Sequence, residues 1–113
     1  MNARKIIAGS AIAALAALPL LNGTAMAITA YQGDDKAYTT AGGSKISVYD
    51  GEDDGRVVYG KYYRQASPGT ERGLYNKSGY GTTATSGSGS DILKLRVCES
   101  ISAWPDACSD WKA

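Results

Sequence analysis

KISVYDGEDDGRVVYGKYYR, residues Lys45 to Arg64, decides the fold. Two runs rich in Ile, Val and Tyr flank Asp50 to Gly55, which is too polar and too Gly-rich to continue either strand, so the stretch predicts a β-hairpin. Strand side chains alternate, which puts Ile46 and Val48 on one face of the first arm and Ser47 and Tyr49 on the other. In the second arm Val57, Tyr59 and Tyr63 share a side with Lys61, while Val58 and Tyr62 share the other with Gly60 and Arg64. Strands with apolar groups on both faces belong inside a sheet or sandwich. The expected architecture is therefore all-β: a small single-domain sandwich or open barrel of about five or six strands, centred on this hairpin.

Residues 1–27 stand apart from the fold. Arg4 and Lys5 precede an apolar run, Ile6 to Leu21, and Ala25-Met26-Ala27 is an A-x-A cleavage signal, the pattern of an export signal peptide. Gly9, Ser10 and Pro19 interrupt the apolar run, which is shorter than the roughly 20 residues a membrane span needs. The expected location is extracellular, with no membrane attachment after cleavage. Setting aside 27 of the 113 residues leaves 86, room for one domain.

Removing Arg4 and Lys5 from the 12 basic residues leaves 10 against 11 acidic ones, a net charge of −1. That balance excludes nucleic-acid and polybasic membrane binders, which need clustered positive charge. Only 11 Ile, Leu and Val residues remain and Phe is absent, so the eight Tyr and two Trp must supply much of the buried area. Small exported domains commonly add a covalent staple, and the two cysteines, Cys98 and Cys108, most simply pair with each other. Closing a loop of that size stabilises by about 2.5 to 3 kcal/mol.

The segment 28–44, ITAYQGDDKAYTTAGGS, has no sustained period and reads as an extended or flexible N-terminal arm ahead of the β domain, 45–113. Ile28, Tyr31 and Tyr38 are its candidate partner-binding residues, the tyrosines as anchors. On this reading, deleting residues 28–41 leaves the thermal transition nearly unchanged. Ser67-Pro68-Gly69 signals a turn, Tyr80 to Thr85 an edge strand and Ser86 to Ser90 a flexible loop. Asp91 to Cys98 predicts a strand with Leu93, Leu95 and Val97 on the core face.

The chemical inventory points away from catalysis. Histidine is absent, which removes Ser-His-Asp and Cys-His arrangements and the usual nitrogen ligand of zinc. Asp50, Glu52, Asp54 and Gly55 echo the first half of an EF-hand loop, but position 12 is Lys61 where a bidentate carboxylate is required. The run reads as a solvated acidic turn, with a weak cation site unlike an EF-hand as the alternative, and no cofactor or metal is assigned.

Several short motifs resemble those of a group of small exported actinobacterial proteins. They are V-x-D-G-x-x-D-G at Val48 to Gly55, Tyr62-Tyr63-Arg64, Leu74-Tyr75-Asn76-x-Ser78-Gly79, Leu95-Arg96-Val97-Cys98-Glu99 and Cys108-Ser109-x-Trp111. Together they look like the small adaptor subunits of umbrella toxin particles, antibacterial complexes secreted by Streptomyces. That resemblance implies a non-enzymatic part joining two secreted proteins: a lectin-bearing subunit with a trypsin-like domain, and a large toxin subunit. It also implies that the N-terminal arm docks in a cleft of the trypsin-like domain. A secreted peptidase inhibitor and a carbohydrate-binding module are the competing readings.

Overall fold

The computed structural model describes residues 26–113; the signal peptide expected over 1–27 lies outside them except for its last two residues. Eight strands form two four-stranded antiparallel sheets. β1 (Thr29–Gln32), β2 (Asp35–Thr40), β3 (Lys45–Tyr49) and β6 (Thr83–Thr85) make the first, in the order β1-β2-β3-β6. β4 (Val58–Arg64), β5 (Ser67–Asn76), β7 (Ile92–Glu99) and β8 (Ala107–Cys108) make the second, in the order β5-β4-β7-β8. The inner faces meet in a core of Ile28, Ala30, Ala37, Ile46, Val48, Val58, Tyr62, Ile92, Leu95 and Val97. The fold is thus an all-β, sandwich-like domain with one disulfide, and no described helix is long and apolar enough to cross a membrane.

The two arms of Lys45–Arg64 are strands, but they do not form a hairpin. β3 pairs with β2 and β6, whereas β4 pairs with β5 and β7, so the acidic segment carries the chain from one sheet to the other. The arms lie face to face: a Cβ on Gly60 would approach Ile46 Cδ1 and Val48 Cγ2 to 3.0 Å each. Glycine is what lets the central strands of the two sheets come this close.

Residues 28–44 are extended, but as part of the sandwich. β1 and β2 form a hairpin turned at Gly33-Asp34, and β2 continues the ladder onto β3. Ile28, Ala30 and Ala37 are buried in the core. Small residues at alternate positions left no visible hydrophobic stripe, yet they suit the inner face of a thin sandwich. Deletion of residues 28–41 is therefore expected to abolish cooperative thermal unfolding, read by circular dichroism, because it strips core groups and leaves β3 without a neighbour on one side. This reverses the expectation for a free arm.

Two local readings also change. The register between β4 and β7 shifts so that Lys94 faces Tyr63 while Ile92 faces Arg64, leaving Leu93 as an extra residue. That bulge turns Ile92 into the core and Leu93 outward, in place of the expected Leu93, Leu95 and Val97 face. Ser67-Pro68-Gly69 is the start of edge strand β5 instead of a turn, and the chain reverses at Gln65-Ala66. Proline is tolerated there because an edge strand has one unpaired side.

Two buried polar side chains tie the sheets together at opposite ends of β4. At its end, Arg64 Nη1 donates to Ser44 O (2.9 Å) and Ser90 O (2.7 Å), and Nη2 donates to Gly87 O (3.1 Å). The Ser86–Ser90 loop is thereby held down. At the start of β4, its register partner Asn76 donates through Nδ2 to Val48 O (3.1 Å) and Thr82 O (2.9 Å). Asn76 Oδ1 accepts from Ser78 N (3.0 Å) and Thr82 Oγ1 (3.1 Å), which fills its hydrogen-bonding capacity. Arg64→Met would leave three carbonyls without this donor and is expected to cost about 2–4 kcal/mol, measured by urea denaturation.

Candidate functional site

The end of the sandwich where the chain crosses between sheets gathers the chemistry. Asp50 to Val57 forms the crossover, the Gly33-Asp34 turn lies beside it, and the loops 77–82 and 100–106 complete the rim. The loop 77–82 is fastened by Asp50 N donating to Thr82 O (3.1 Å) and Gly81 N donating to Asp50 O (2.8 Å). The loop 100–106 is closed at its base by Cys98–Cys108, which sit opposite each other in the β7–β8 register. Tyr59 fastens it further by donating from its hydroxyl to Asp106, while Asp106 Oδ1 accepts from Ile101 N (3.2 Å). Burial, helped by that carboxylate, pushes the Tyr59 phenol up to about 12. The same hydrogen bond holds the Asp106 carboxyl below its ordinary range.

Four large aromatic side chains stand exposed: Trp104 (74%) and Tyr80 (60%) on the rim loops, Tyr31 (62%) on β1 and Tyr75 (47%) on β5. Tyr75 stacks on Tyr59 with ring centroids 4.7 Å apart, and the Lys61 ammonium lies over both rings. Two open grooves, about 210 and 530 Å³, share Gly55, Arg56 and Val57; Tyr80 lines the first and Trp104 the second. Of the residues singled out in the sequence, Tyr31 and Tyr38 lie on the outer face of the first sheet, with Lys36 5.3 Å from the Tyr38 ring. Ile28 points the other way, into the core, and is not available to a partner in the folded domain.

Inside the rim, three carboxyl groups converge from separate parts of the chain. Asp35 opens β2, Glu52 lies in the crossover and Glu99 closes β7, and one oxygen from each lies within 4.8 Å of one from each of the others. Asp35 Oδ1 accepts from Gly51 N (2.9 Å), Glu52 Oε2 accepts from Asp34 N (3.0 Å), and Glu99 Oε1 accepts from Arg56 Nη1 (3.0 Å). Gly33 has φ +60°, and any Cβ there would run into Glu52 Oε2, so glycine makes room for that carboxylate. Asp50 turns inward and accepts from Glu52 N, whereas exposed Asp54 accepts from Arg56 N. The EF-hand-like trio is thus split: Glu52 joins Asp35 and Glu99, while Asp54 stays at the exposed edge of the cluster, beside Glu99.

Burial pushes Glu99 up to about 8, with neighbouring carboxyl groups adding to the rise and Arg56 opposing it. Burial likewise pushes Asp35 up to about 6, against the Gly51 hydrogen bond. A carboxyl whose folded value lies above its ordinary one stabilises the fold most below the ordinary value, and that contribution is lost as pH rises through the folded value. In EDTA, the calorimetric Tm is therefore expected to fall as pH rises through about 6 and then about 8.

Trp104, Tyr80, Arg56, Asp35 and Glu99 were not singled out from the sequence. Trp104 carried a signal, being a lone large aromatic in a short, polar, cysteine-bounded ring. Asp35 and Glu99 carried none, since each reads as an ordinary acid at a strand end. Comparison with protein-family models, with curated proteins and with solved structures finds no match to this chain.

Proposed function

We propose that this protein is an exported, non-enzymatic binding module that acts as an adaptor between other secreted proteins. The observation that carries the reading is exposed Trp104 and Tyr80 on loops lining two adjoining grooves at one end of the sandwich, with exposed Tyr31 and Tyr75 on the flanking sheets. Trp, Tyr and Arg dominate binding hot spots, because they bury a large area for few rotatable bonds. Strands, a cystine and buried hydrogen bonds hold the segments that carry these side chains before any partner arrives, which lowers the ordering cost of association. The resemblance to umbrella-particle adaptors supplies the partner class: a lectin-bearing subunit with a trypsin-like domain and a large toxin subunit. Docking would then use this presented end and the β1–β2 hairpin with Tyr31, in place of a free arm threaded into a cleft.

Absence of histidine and engagement of both cysteines in a disulfide agree with a non-catalytic role. The peptidase-inhibitor reading loses its protruding segment, because residues 28–44 are built into a sheet. A carbohydrate-binding module keeps one observation in its favour, the stacked Tyr59–Tyr75 platform under Lys61.

Affinity purification of the tagged protein from the producer's culture supernatant, followed by mass spectrometry, tests the proposal. Recovery of the two subunit types supports it, and recovery of the protein alone counts against it. With the partner in hand, Trp104→Ala and Tyr80→Ala are expected to weaken binding by roughly 30-fold each, the measure of a 2 kcal/mol hot spot. Both side chains are exposed, so Tm should stay within a degree or two of the parent. Binding to chitin or peptidoglycan that is lost on Tyr75→Ala would favour the carbohydrate reading instead.

A further inference from the structure

Asp35, Glu52 and Glu99 present oxygen atoms to one another from three separate chain segments, and two of these side chains are deeply buried, Asp35 with 0% and Glu99 with 4% exposure. Each is fixed by one hydrogen bond or ion pair, to Gly51 N, Asp34 N and Arg56 respectively. The second oxygens of the two buried groups, Asp35 Oδ2 and Glu99 Oε2, meet no donor group; only a proton shared among the carboxyls themselves would pair them. An orphaned carboxylate oxygen inside a protein is costly, and two orphans at one acidic cluster ask for a shared positive partner. Arg56 does not fill that role. It meets Glu99 through the other oxygen, and so leaves both orphaned oxygens without a positive partner.

We propose that Asp35, Glu52 and Glu99 bind a divalent cation of the calcium class at the junction between the two sheets. Hard cations of this kind take carboxylate oxygens, and calcium does so at about 2.3–2.6 Å with six to eight ligands in adaptable geometry. Oxygens bound to one such ion at about 2.4 Å cannot be farther apart than about 4.8 Å, a limit the three carboxylates meet. Glu52 is only half-buried, so the cluster opens toward solvent on its side, where water can complete the coordination. The ligands come from β2, the crossover and β7, so the ion would join both sheets at the end opposite the Arg64 tie. An extracellular site of this type works with a dissociation constant of about 0.1–1 mM, matched to the calcium available outside cells.

The test is calorimetric titration of calcium chloride into the EDTA-stripped and desalted protein at pH 7.5, paired with thermal unfolding in EDTA and in 10 mM calcium chloride, a concentration chosen as roughly tenfold or more above that range. One-site binding and a rise in Tm of about 5 °C or more are expected. Glu52→Gln, whose carbonyl can still accept from Asp34 N, should fold with a similar Tm in EDTA, bind at least tenfold more weakly and lose most of the rise. Absence of binding heat together with an unchanged Tm overturns the proposal, as does an equal Tm rise with sodium chloride at matched ionic strength. These readouts use the isolated protein, so they fail or succeed independently of any partner.

Discussion

The sandwich depends on polar ties as much as on its apolar core. Arg64 ends β4, Asn76 ends the neighbouring edge strand β5 beside the start of β4, and each reaches across to backbone groups of the first sheet or of the loops beside it. With so few aliphatic residues, the core alone cannot dictate how the two sheets are aligned. A side chain that must place several hydrogen bonds at once can, because any slip leaves buried groups unpaired. Gly60 then allows the closest approach between these fixed ends, bringing β4 against Ile46 and Val48.

The pattern of residues conveyed which segments are strands far better than which strands are neighbours. An alternating run such as Lys45–Tyr49 looks the same whether it pairs with the next run or faces it across a core, since period 2 describes one strand and says nothing of its partner. The eight-residue spacing between β3 and β4 is compatible with both. Residues 28–44 escaped notice for a related reason: alanine on the inner face gives little hydrophobic contrast, although it packs well in a thin sandwich. Leu93 misled because one extra residue in β7 inverts the alternation, and a bulge leaves no mark in hydropathy alone. The Cys98–Cys108 link was readable because a chain with two cysteines offers a single intramolecular pairing.

The same distinction runs through the candidate site. The acidic run from Asp50 to Asp54 is conspicuous in sequence, but its local spacing describes a loop that coordinates within itself. The folded crossover instead spends Asp50 on the backbone and directs Glu52 toward Asp35 and Glu99, contributed by strands of different sheets. Long-range convergence of this kind depends on topology. Residue type alone made Tyr31 and Tyr38 candidate anchors, and it is the β1–β2 ladder that decides they share a face while Ile28 lies inside.

The cystine also divides the domain into two regimes of sequence constraint. It closes a ring whose side chains from Ser102 to Asp106 are all exposed, while the strands that carry its base are packed against the sandwich. Substitutions in most of that ring disturb no core contact, and the covalent closure, together with the Asp106 hydrogen bonds, keeps the loop in place. The scaffold can therefore stay constant while the tip changes from one sequence to another, so that new recognition can arise by drift in a handful of positions without first destabilising the fold.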